Sequence, residues 1–154
     1  MNDRNAVEAA VGISCLCLDE ERFEDWLEGC APDFMYSVQA YSPEIRRHMT
    51  WLSLDRLGLE RLAQSLRMHQ RDPGALMRHP SVLKVKENPD GKLESVSSVL
   101  VVRTAPDGTS ALYASLRYVD VWTASAKNLL LSNRRVEMST RVLLSDSGGS
   151  HVPL

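Results

Sequence analysis

The chain has 154 residues, a net charge of −2 at pH 7, 44% hydrophobic residues and 25% charged residues. These values are typical of one soluble domain that buries a core of its own. No run of 18 apolar residues predicts a membrane span, and the polar residues 1–5 fit neither a secretory signal nor a transit peptide, which predicts a cytoplasmic protein. The arginines of the helical region lie between leucines without aromatic neighbours, which argues against nucleic-acid binding.

Helices are predicted at the start of the chain. A first helix, capped by Asn2 or Asp3, is indicated by residues that share one helical face: Val7, Ala10, Val11, Ser14, Cys15 and Leu18. Asp19 is the expected cap of a short second helix that Gly29 ends, with Phe23, Trp26 and Leu27 on a shared face.

In the next segment the spacing of apolar residues changes from that of a helix to that of a strand. Alternation over residues 33–41 predicts a half-buried strand that ends before Pro43. A third helix follows after Ser53 or Asp55 and closes before residues 72–74, and a short strand is predicted over residues 82–87.

The second half predicts an antiparallel meander with strands over residues 92–104, 109–122 and 129–144. Segments of this length would run for about 40 to 50 Å, so the sheet must curve to fit a small domain. Helices that precede strands indicate the α+β class, here a single domain over residues 1–154 with a loosely attached tail over about 146–154.

Apolar residues occur on both predicted faces of the meander. Leu112, Ala114, Leu116 and Tyr118 share one face, whereas Tyr113, Val119 and Val121 share the other. Because three helices can cover one face only, the second face is predicted to pack against another chain. The candidate interface residues are Tyr113, Arg117, Val119, Arg134 and Arg135.

The sequence shows no pattern that predicts a catalytic or metal-binding motif. His48, His69, His79 and His151 stand in no metal-ligand spacing, and Cys15, Cys17 and Cys30 are expected to be small buried residues rather than disulfide or zinc ligands. Catalysis within the chain would need acid–base groups that point into the sheet's concavity, for which Tyr36, His79 and Asp120 are the candidates. Each also has a simpler explanation: Tyr36 as a core residue, His79 before Pro80 as a loop residue, and Asp120 as the ion-pair partner of an arginine.

Several strings, taken in order, resemble the small (β) subunit of aromatic-ring-hydroxylating dioxygenases, which have the NTF2-like cone fold. They are residues 18–27 (LDEERFEDWL), 33–36 (DFMY), 98–103 (SVLVVR), 117–120 (RYVD) and 133–138 (NRRVEM). Residues 41–47 (YSPEIRR) and 149–153 (GSHVP) resemble the small-subunit branch of methanesulfonate monooxygenase hydroxylases, and residues 77–81 depart from the dioxygenase pattern.

The resemblance implies a cone of three N-terminal helices on a strongly curved, mixed and mostly antiparallel sheet. It implies a structural subunit without a catalytic centre or cofactor of its own. Its partner would be a large (α) subunit that carries a Rieske [2Fe–2S] cluster and mononuclear Fe(II), in an α3β3 hexamer with O2- and NAD(P)H-dependent oxygenase activity.

Two alternatives use the same cone without a large subunit. One is a stand-alone isomerase or dehydratase, which requires a closed, mostly apolar cavity with at least two convergent polar side chains and is excluded if Leu or Met side chains block that cavity. The other is a protein that binds a small molecule in the cavity without chemistry.

Overall fold

The computed structural model describes residues 2–68, 73–139 and 153–154. Within these ranges the chain forms, in order, α1 (Asp3–Asp19), α2 (Phe23–Glu28), β1 (Cys30–Ser42), β2 (Arg47–Asp55), α3 (Arg56–Met68), β3 (Ala75–Glu87), β4 (Leu93–Thr104), β5 (Ser110–Ala124) and β6 (Leu129–Met138). The predicted α+β class is confirmed. Residues 140–144, which were predicted to continue the last strand, lie outside the described residues.

The strands form one sheet in the order β2-β1-β6-β5-β4-β3. Neighbours are antiparallel except β1 and β6, which are parallel, so the sheet is mixed and mostly antiparallel as predicted. The register shifts at Val38/Gln39, Val82/Lys84, Val101/Val102 and Val121/Trp122. Such bulges bend strands and increase their twist, which curves the sheet around the helices on its concave face.

The helix starts agree with the sequence at two of three places. The Asn2 side chain accepts a hydrogen bond from the Arg4 amide at 2.8 Å and begins α1, and Asp55 accepts one from the Gly58 amide at 2.7 Å where α3 begins. The cap predicted at Asp19 for α2 is wrong, because the Asp19 carboxylate instead binds Arg78 across the fold.

Both edges of the sheet differ from the prediction. Strand β2 was missed because it is an edge strand whose side chains are mostly exposed, so it has little apolar alternation. Strand β3 begins at Ala75 rather than residue 82 and includes Pro80. A proline is tolerated there because β3 is also an edge strand, where one amide need not join a ladder.

The bulge between β4 and β5 reverses the predicted faces near residue 112. Val101 pairs with Ala114 and Val102 with Leu112, which leaves Tyr113 as the extra residue. Tyr113 is therefore buried, and Leu112, predicted on the core face, is 51% exposed on the convex face. The extra residue shifts the alternation of buried and exposed side chains by one position. The prediction had assumed an unbroken alternation along the strand.

The core fills the space between the helices and the concave face. Its largest buried side chains include Trp122, Tyr36, Tyr118, Phe34 and Arg134. Leu154 also belongs to this core and is 1% exposed. The prediction of a loose tail is therefore wrong at Pro153 and Leu154, whose backbone is hydrogen-bonded inside the cone, whereas residues 146–152 lie outside the described residues.

Candidate functional site: the interior of the cone

A fully buried ion pair lies at the centre of the concave face. Asp120 on β5 and Arg134 on β6 are register partners, and both side chains have no exposed surface. Arg134 Nε and Nη2 donate to the two Asp120 carboxylate oxygens at 2.9 and 2.8 Å, and Nη1 donates to Ser14 Oγ at 2.9 Å. Trp26 Nε1 donates to the same Ser14 oxygen at 2.9 Å, which links the pair to both α1 and α2.

The electrostatics of this pair balance burial against mutual attraction. Burial raises the pKa of Asp120, and the Arg134 cation opposes that rise. Burial alone would lower the pKa of Arg134, but the Asp120 carboxylate raises it, so the guanidinium stays charged. A bidentate geometry in which each guanidinium nitrogen donates a hydrogen bond is what a buried charge pair requires.

Two buried tyrosines flank the pair. The Arg134 guanidinium lies 3.8 Å from the centre of the Tyr118 ring, and Tyr36 meets Trp26 edge to face with ring centres 6.1 Å apart. Burial raises the pKa of Tyr36 to about 12 and raises that of Tyr118 as well. Both hydroxyls therefore stay protonated at neutral pH and serve as hydrogen-bonding groups.

Arg78, on the edge strand β3, is a further buried charged residue of the cone interior. Its Nη1 donates to Asp19 Oδ1 at 2.8 Å, and its backbone amide donates to the same carboxylate at 3.1 Å. Its Nη2 donates to the Pro153 carbonyl at 3.0 Å. Leu154 then lies between the tyrosines, because its amide donates to Tyr36 Oη and its backbone oxygen accepts from Tyr118 Oη, both at 2.9 Å.

The structure brings two of the three candidate catalytic residues together and places the third elsewhere. Tyr36 and Asp120 are both register neighbours of Arg134 on the concave face. His79 is exposed on the other side of the sheet, because Arg78 points inward at this part of β3 and the next residue must point outward. Tyr36 and Asp120 already have hydrogen-bond partners within the chain, the Leu154 amide and the Arg134 guanidinium respectively.

The five candidate interface residues divide between the two faces. Arg117 is exposed and Val119 and Arg135 are half-buried on the convex face, where a partner could reach them. The prediction is wrong for Tyr113 and Arg134, which are 3% and 0% exposed within this chain. Tyr113 turns inward at the bulge, and Arg134 turns inward because it alternates with Arg135.

The convex face carries exposed apolar side chains across β3, β4 and β5. We define the outer apolar patch as Met77, Leu100, Val102 and Leu112. Val102 pairs with both Met77 and Leu112, and the exposed fractions of Met77, Leu100 and Leu112 are 57%, 45% and 51%. Farther along the same face, a cavity of about 360 Å³ is lined by charged and apolar residues that include Lys84, Lys86, Val119 and Arg135.

A second cavity, of about 560 Å³, lies between α1 and the turn that joins β5 to β6. Its walls are mainly apolar, with Ala6, Ala10 and Ile13 from α1 and Trp26 and Trp122 from the core. None of the eight candidate catalytic or interface residues lines it.

Sequence reasoning missed Arg78 and Leu154 as parts of the cone interior. Arg78 falls between the predicted third helix and the strand predicted over residues 82–87, and its partner Asp19 is 59 residues away. Leu154 falls in the tail that is predicted to be loosely attached. Ser14 did carry a signal, since it falls on the buried face predicted for the first helix.

The cysteines and the metal-ligand types form no centre in the described part of the chain. Cys15, Cys17 and Cys30 are buried as predicted, and all three are free thiols. Burial raises the pKa of Cys15 to about 11 and that of Cys30 to about 12. Residues 2–68, 73–139 and 153–154 contain no group of three or more His, Cys, Asp or Glu side chains placed to hold a metal ion. No helix in these ranges has the length and apolar character needed to span a bilayer.

Two curated proteins share sequence with this chain. The β subunit of 2-aminobenzenesulfonate 2,3-dioxygenase from an Alcaligenes species is 34% identical over 137 residues, and the match covers 89% of each chain. The β subunit of the methanesulfonate monooxygenase hydroxylase from Methylosulfonomonas methylovora is 37% identical over 81 residues, which cover 53% of this chain and 45% of that one. No protein-family model matches the chain.

A solved structure shares the fold. The β subunit described as part of an aromatic-ring-hydroxylating dioxygenase from Novosphingobium aromaticivorans superposes with a TM-score of 0.77 and 20% identity, with 88% of each chain covered. This likeness confirms the predicted NTF2-like cone. Because the Alcaligenes relative matches along nearly the whole chain, this protein belongs to the small (β) subunits of aromatic-ring-hydroxylating dioxygenases and related Rieske non-haem iron oxygenases.

Proposed function

We propose that the chain is a structural subunit of a multicomponent Rieske oxygenase and assembles with a catalytic large (α) subunit. Its membership of the β-subunit family carries this proposal. In the proposed complex the Rieske [2Fe–2S] cluster and the mononuclear Fe(II) belong to the large subunit. The small subunits form a trimer within an α3β3 hexamer. The cytoplasmic location of the complex stays a prediction from the sequence.

The convex face supports an assembly role. Met77, Leu100 and Leu112 are about half exposed next to one another, and contiguous exposed apolar surface of this kind is typical of protein interfaces. Arg117, Val119 and Arg135 lie on the same face and supply the mixed polar and apolar surroundings of such a contact. We propose that this face, including those three residues, packs against another subunit.

The cone interior supports the structural role over the stand-alone enzyme. An isomerase or dehydratase would need an accessible acid–base pair in the cone. Here Asp120 is engaged by Arg134, and Pro153–Leu154 takes the space and the hydrogen bonds beside Tyr36 and Tyr118.

The test is co-expression with the catalytic large subunit of a Rieske oxygenase from the same organism, followed by mass measurement with light scattering. The native pair is expected to give the mass of a hexamer, and Leu112→Asp is expected to reduce the hexamer fraction at least tenfold by placing a charge in the apolar contact. The matched control is Leu57→Asp on α3, because Leu57 has the same 51% exposure on a different surface. A chain that stays monomeric with its large subunit present would contradict the proposal.

The names of the two curated relatives also suggest a substrate class for the complex. Both are subunits of oxygenases named for sulfonates, one aromatic and one aliphatic. We propose that the complex oxygenates an organosulfonate. Oxygen uptake by the reconstituted complex should rise with 2-aminobenzenesulfonate or methanesulfonate and stay at background with naphthalene, and the reverse order would contradict this assignment.

A further inference from the structure

Three buried polar side chains converge on the two residues Pro153 and Leu154. The contacts are Arg78 Nη2 to the Pro153 carbonyl at 3.0 Å, the Leu154 amide to Tyr36 Oη at 2.9 Å, and Tyr118 Oη to the Leu154 backbone oxygen at 2.9 Å. The three side chains come from β3, β1 and β5, no two of which are neighbours in the sheet. Only the curvature of the sheet brings them together.

Each of these groups is held in place by other parts of the fold. Asp19 binds the Arg78 guanidinium and its backbone amide, and the ring of Tyr118 lies under the Arg134 cation. Tyr36 packs edge to face against Trp26. The positions of the hydroxyls and the guanidinium therefore do not depend on Leu154, which is the property of a preorganised binding site.

An ordinary core would not place these groups here. Burying two hydroxyls and a guanidinium in an apolar cone is unfavourable unless each finds a partner. Tyr36 and Tyr118 are fully buried, and Arg78 is 6% exposed with an Nε that has no hydrogen-bond partner among the described residues. The concave face thus offers more hydrogen-bonding capacity than the strands themselves use.

The geometry defines the chemistry of the ligand. Arg78 donates to one carbonyl, Tyr36 accepts from the following N–H, and Tyr118 donates to the next backbone oxygen. The site therefore recognises three groups in order along an acylated amino acid: a hydrogen-bond acceptor, a hydrogen-bond donor and a second acceptor. The Leu154 side chain, in a residue that is 1% exposed, fills the apolar part of the cone beside them.

We propose that Tyr36, Tyr118 and Arg78 form a binding site for an N-acylated amino acid with a branched aliphatic side chain, and that Pro153–Leu154 occupies it as a built-in ligand. Because a tethered ligand acts at an effective concentration of about millimolar or more, a free molecule of the same class binds weakly while the tether is in place. This site is independent of the outer apolar patch and goes beyond the assembly role.

The experiment uses the full chain with P153G/L154G, which keeps the length but removes the proline ring and the aliphatic side chain. The probe is N-acetyl-prolyl-leucine amide, followed by isothermal titration calorimetry and by the midpoint of thermal unfolding. The variant is expected to bind the probe saturably and to gain thermal stability from it, whereas the wild-type chain shows at least tenfold weaker binding. N-acetyl-prolyl-glycine amide, which lacks the branched side chain, should bind at least tenfold more weakly than the leucine probe.

A further substitution tests whether the probe binds at this site. Adding Tyr36→Phe to P153G/L154G removes the hydroxyl that accepts the ligand N–H and should weaken probe binding about tenfold. The matched control is Tyr41→Phe, since Tyr41 lies on the same strand with its side chain 48% exposed. A folded P153G/L154G chain that ignores the probe, or equal losses from the two tyrosine changes, would overturn the proposal.

A measurement on the wild-type chain tests the proposal even if P153G/L154G does not fold. The amide hydrogen of residue 154 is expected to exchange slowly because Tyr36 holds it in the core, and at least tenfold faster in Tyr36→Phe. Exchange at the rate of an unstructured chain in the wild type would show that the site is not occupied and would refute the proposal. Light scattering with the large subunit reports assembly separately, so failure of one proposal does not affect the other.

Discussion

The concave face of the sheet keeps charges and hydroxyls out of water, whereas the convex face leaves aliphatic side chains in it. Asp120, Arg134, Tyr36 and Tyr118 have no exposed surface, and each has a partner within the chain. On the convex face, Leu112 is 51% exposed, and the described residues place no helix over it. Polar groups on the inside therefore contribute to the fold of this protomer, and apolar groups on the outside are available for association.

The largest effect on stability is expected from removing one charge of the concave face. Asp120→Ala leaves the Arg134 guanidinium buried without its carboxylate and should lower the free energy of unfolding by about 3 to 5 kcal/mol, measured by urea denaturation. The control is Glu8→Ala. The Arg4–Glu8 pair has a similar distance of 2.9 Å but side chains 47% and 46% exposed, and its loss should cost about 0.5 kcal/mol or less. Equal losses from the two variants would contradict the expectation that burial makes the Asp120–Arg134 pair essential to the fold.

A smaller effect is expected from high pH, through two buried thiols of the protomer core. The pKa of Cys15 is raised from 9.0 to about 11 in the folded chain, and that of Cys30 from 9.0 to about 12. The unfolded chain therefore loses these thiol protons first, so their stabilising contribution is complete below about pH 8.5 and is lost as the pH rises toward the folded values. The free energy of unfolding should fall by about 1 kcal/mol per thiol between about pH 8 and 10.

The cysteine contribution can be isolated by substitution. Cys15→Ala together with Cys30→Ala should flatten the dependence of unfolding free energy on pH over this interval, whatever the change in stability at neutral pH. A dependence that stays equally steep in the double variant would show that other groups cause it. Tyr36, whose pKa is raised from 10.0 to about 12, should add to the fall mainly above about pH 10, since its unfolded form loses its proton there.

The smallest effect on the isolated chain is expected on the convex face. Leu112→Asp should change the free energy of unfolding by about 1 kcal/mol or less, because the side chain is already half exposed and the cost is mainly that of an unfavourable strand residue. The same variant is expected to lose assembly with the large subunit. A loss of several kcal/mol in urea denaturation would mean that Leu112 supports the protomer itself.

The sequence predicted the parts of the fold that depend on local period. Helix α1 and its Asn2 cap, strand β1 and its end before Pro43, and the order of the last three strands all follow from spacing and turn residues. The apolar second face was also anticipated, although two of its five candidate residues were wrong.

The remainder required information that a local pattern does not contain. The position of Tyr113 depends on a bulge, which is set by pairing with β4 rather than by residues near 113. The Asp120–Arg134 pair joins two strands, so the sequence could suggest an arginine as the partner of Asp120 but could not identify which arginine it is or that the pair is buried. The pairing of β1 with β6, and the return of Leu154 to the cone, join residues about a hundred positions apart.

The parallel pairing of β1 and β6 has a consequence for biosynthesis. β1 reaches its partner in the middle of the sheet only when β6, the last of the described strands to leave the ribosome, is available. Until then, the nascent chain exposes the inner edge of β1 to solvent or to other nascent chains, and such long-range closure is slow and prone to aggregation. Cells that make this protein should therefore benefit from chaperone protection or slow translation while the second half is being synthesised.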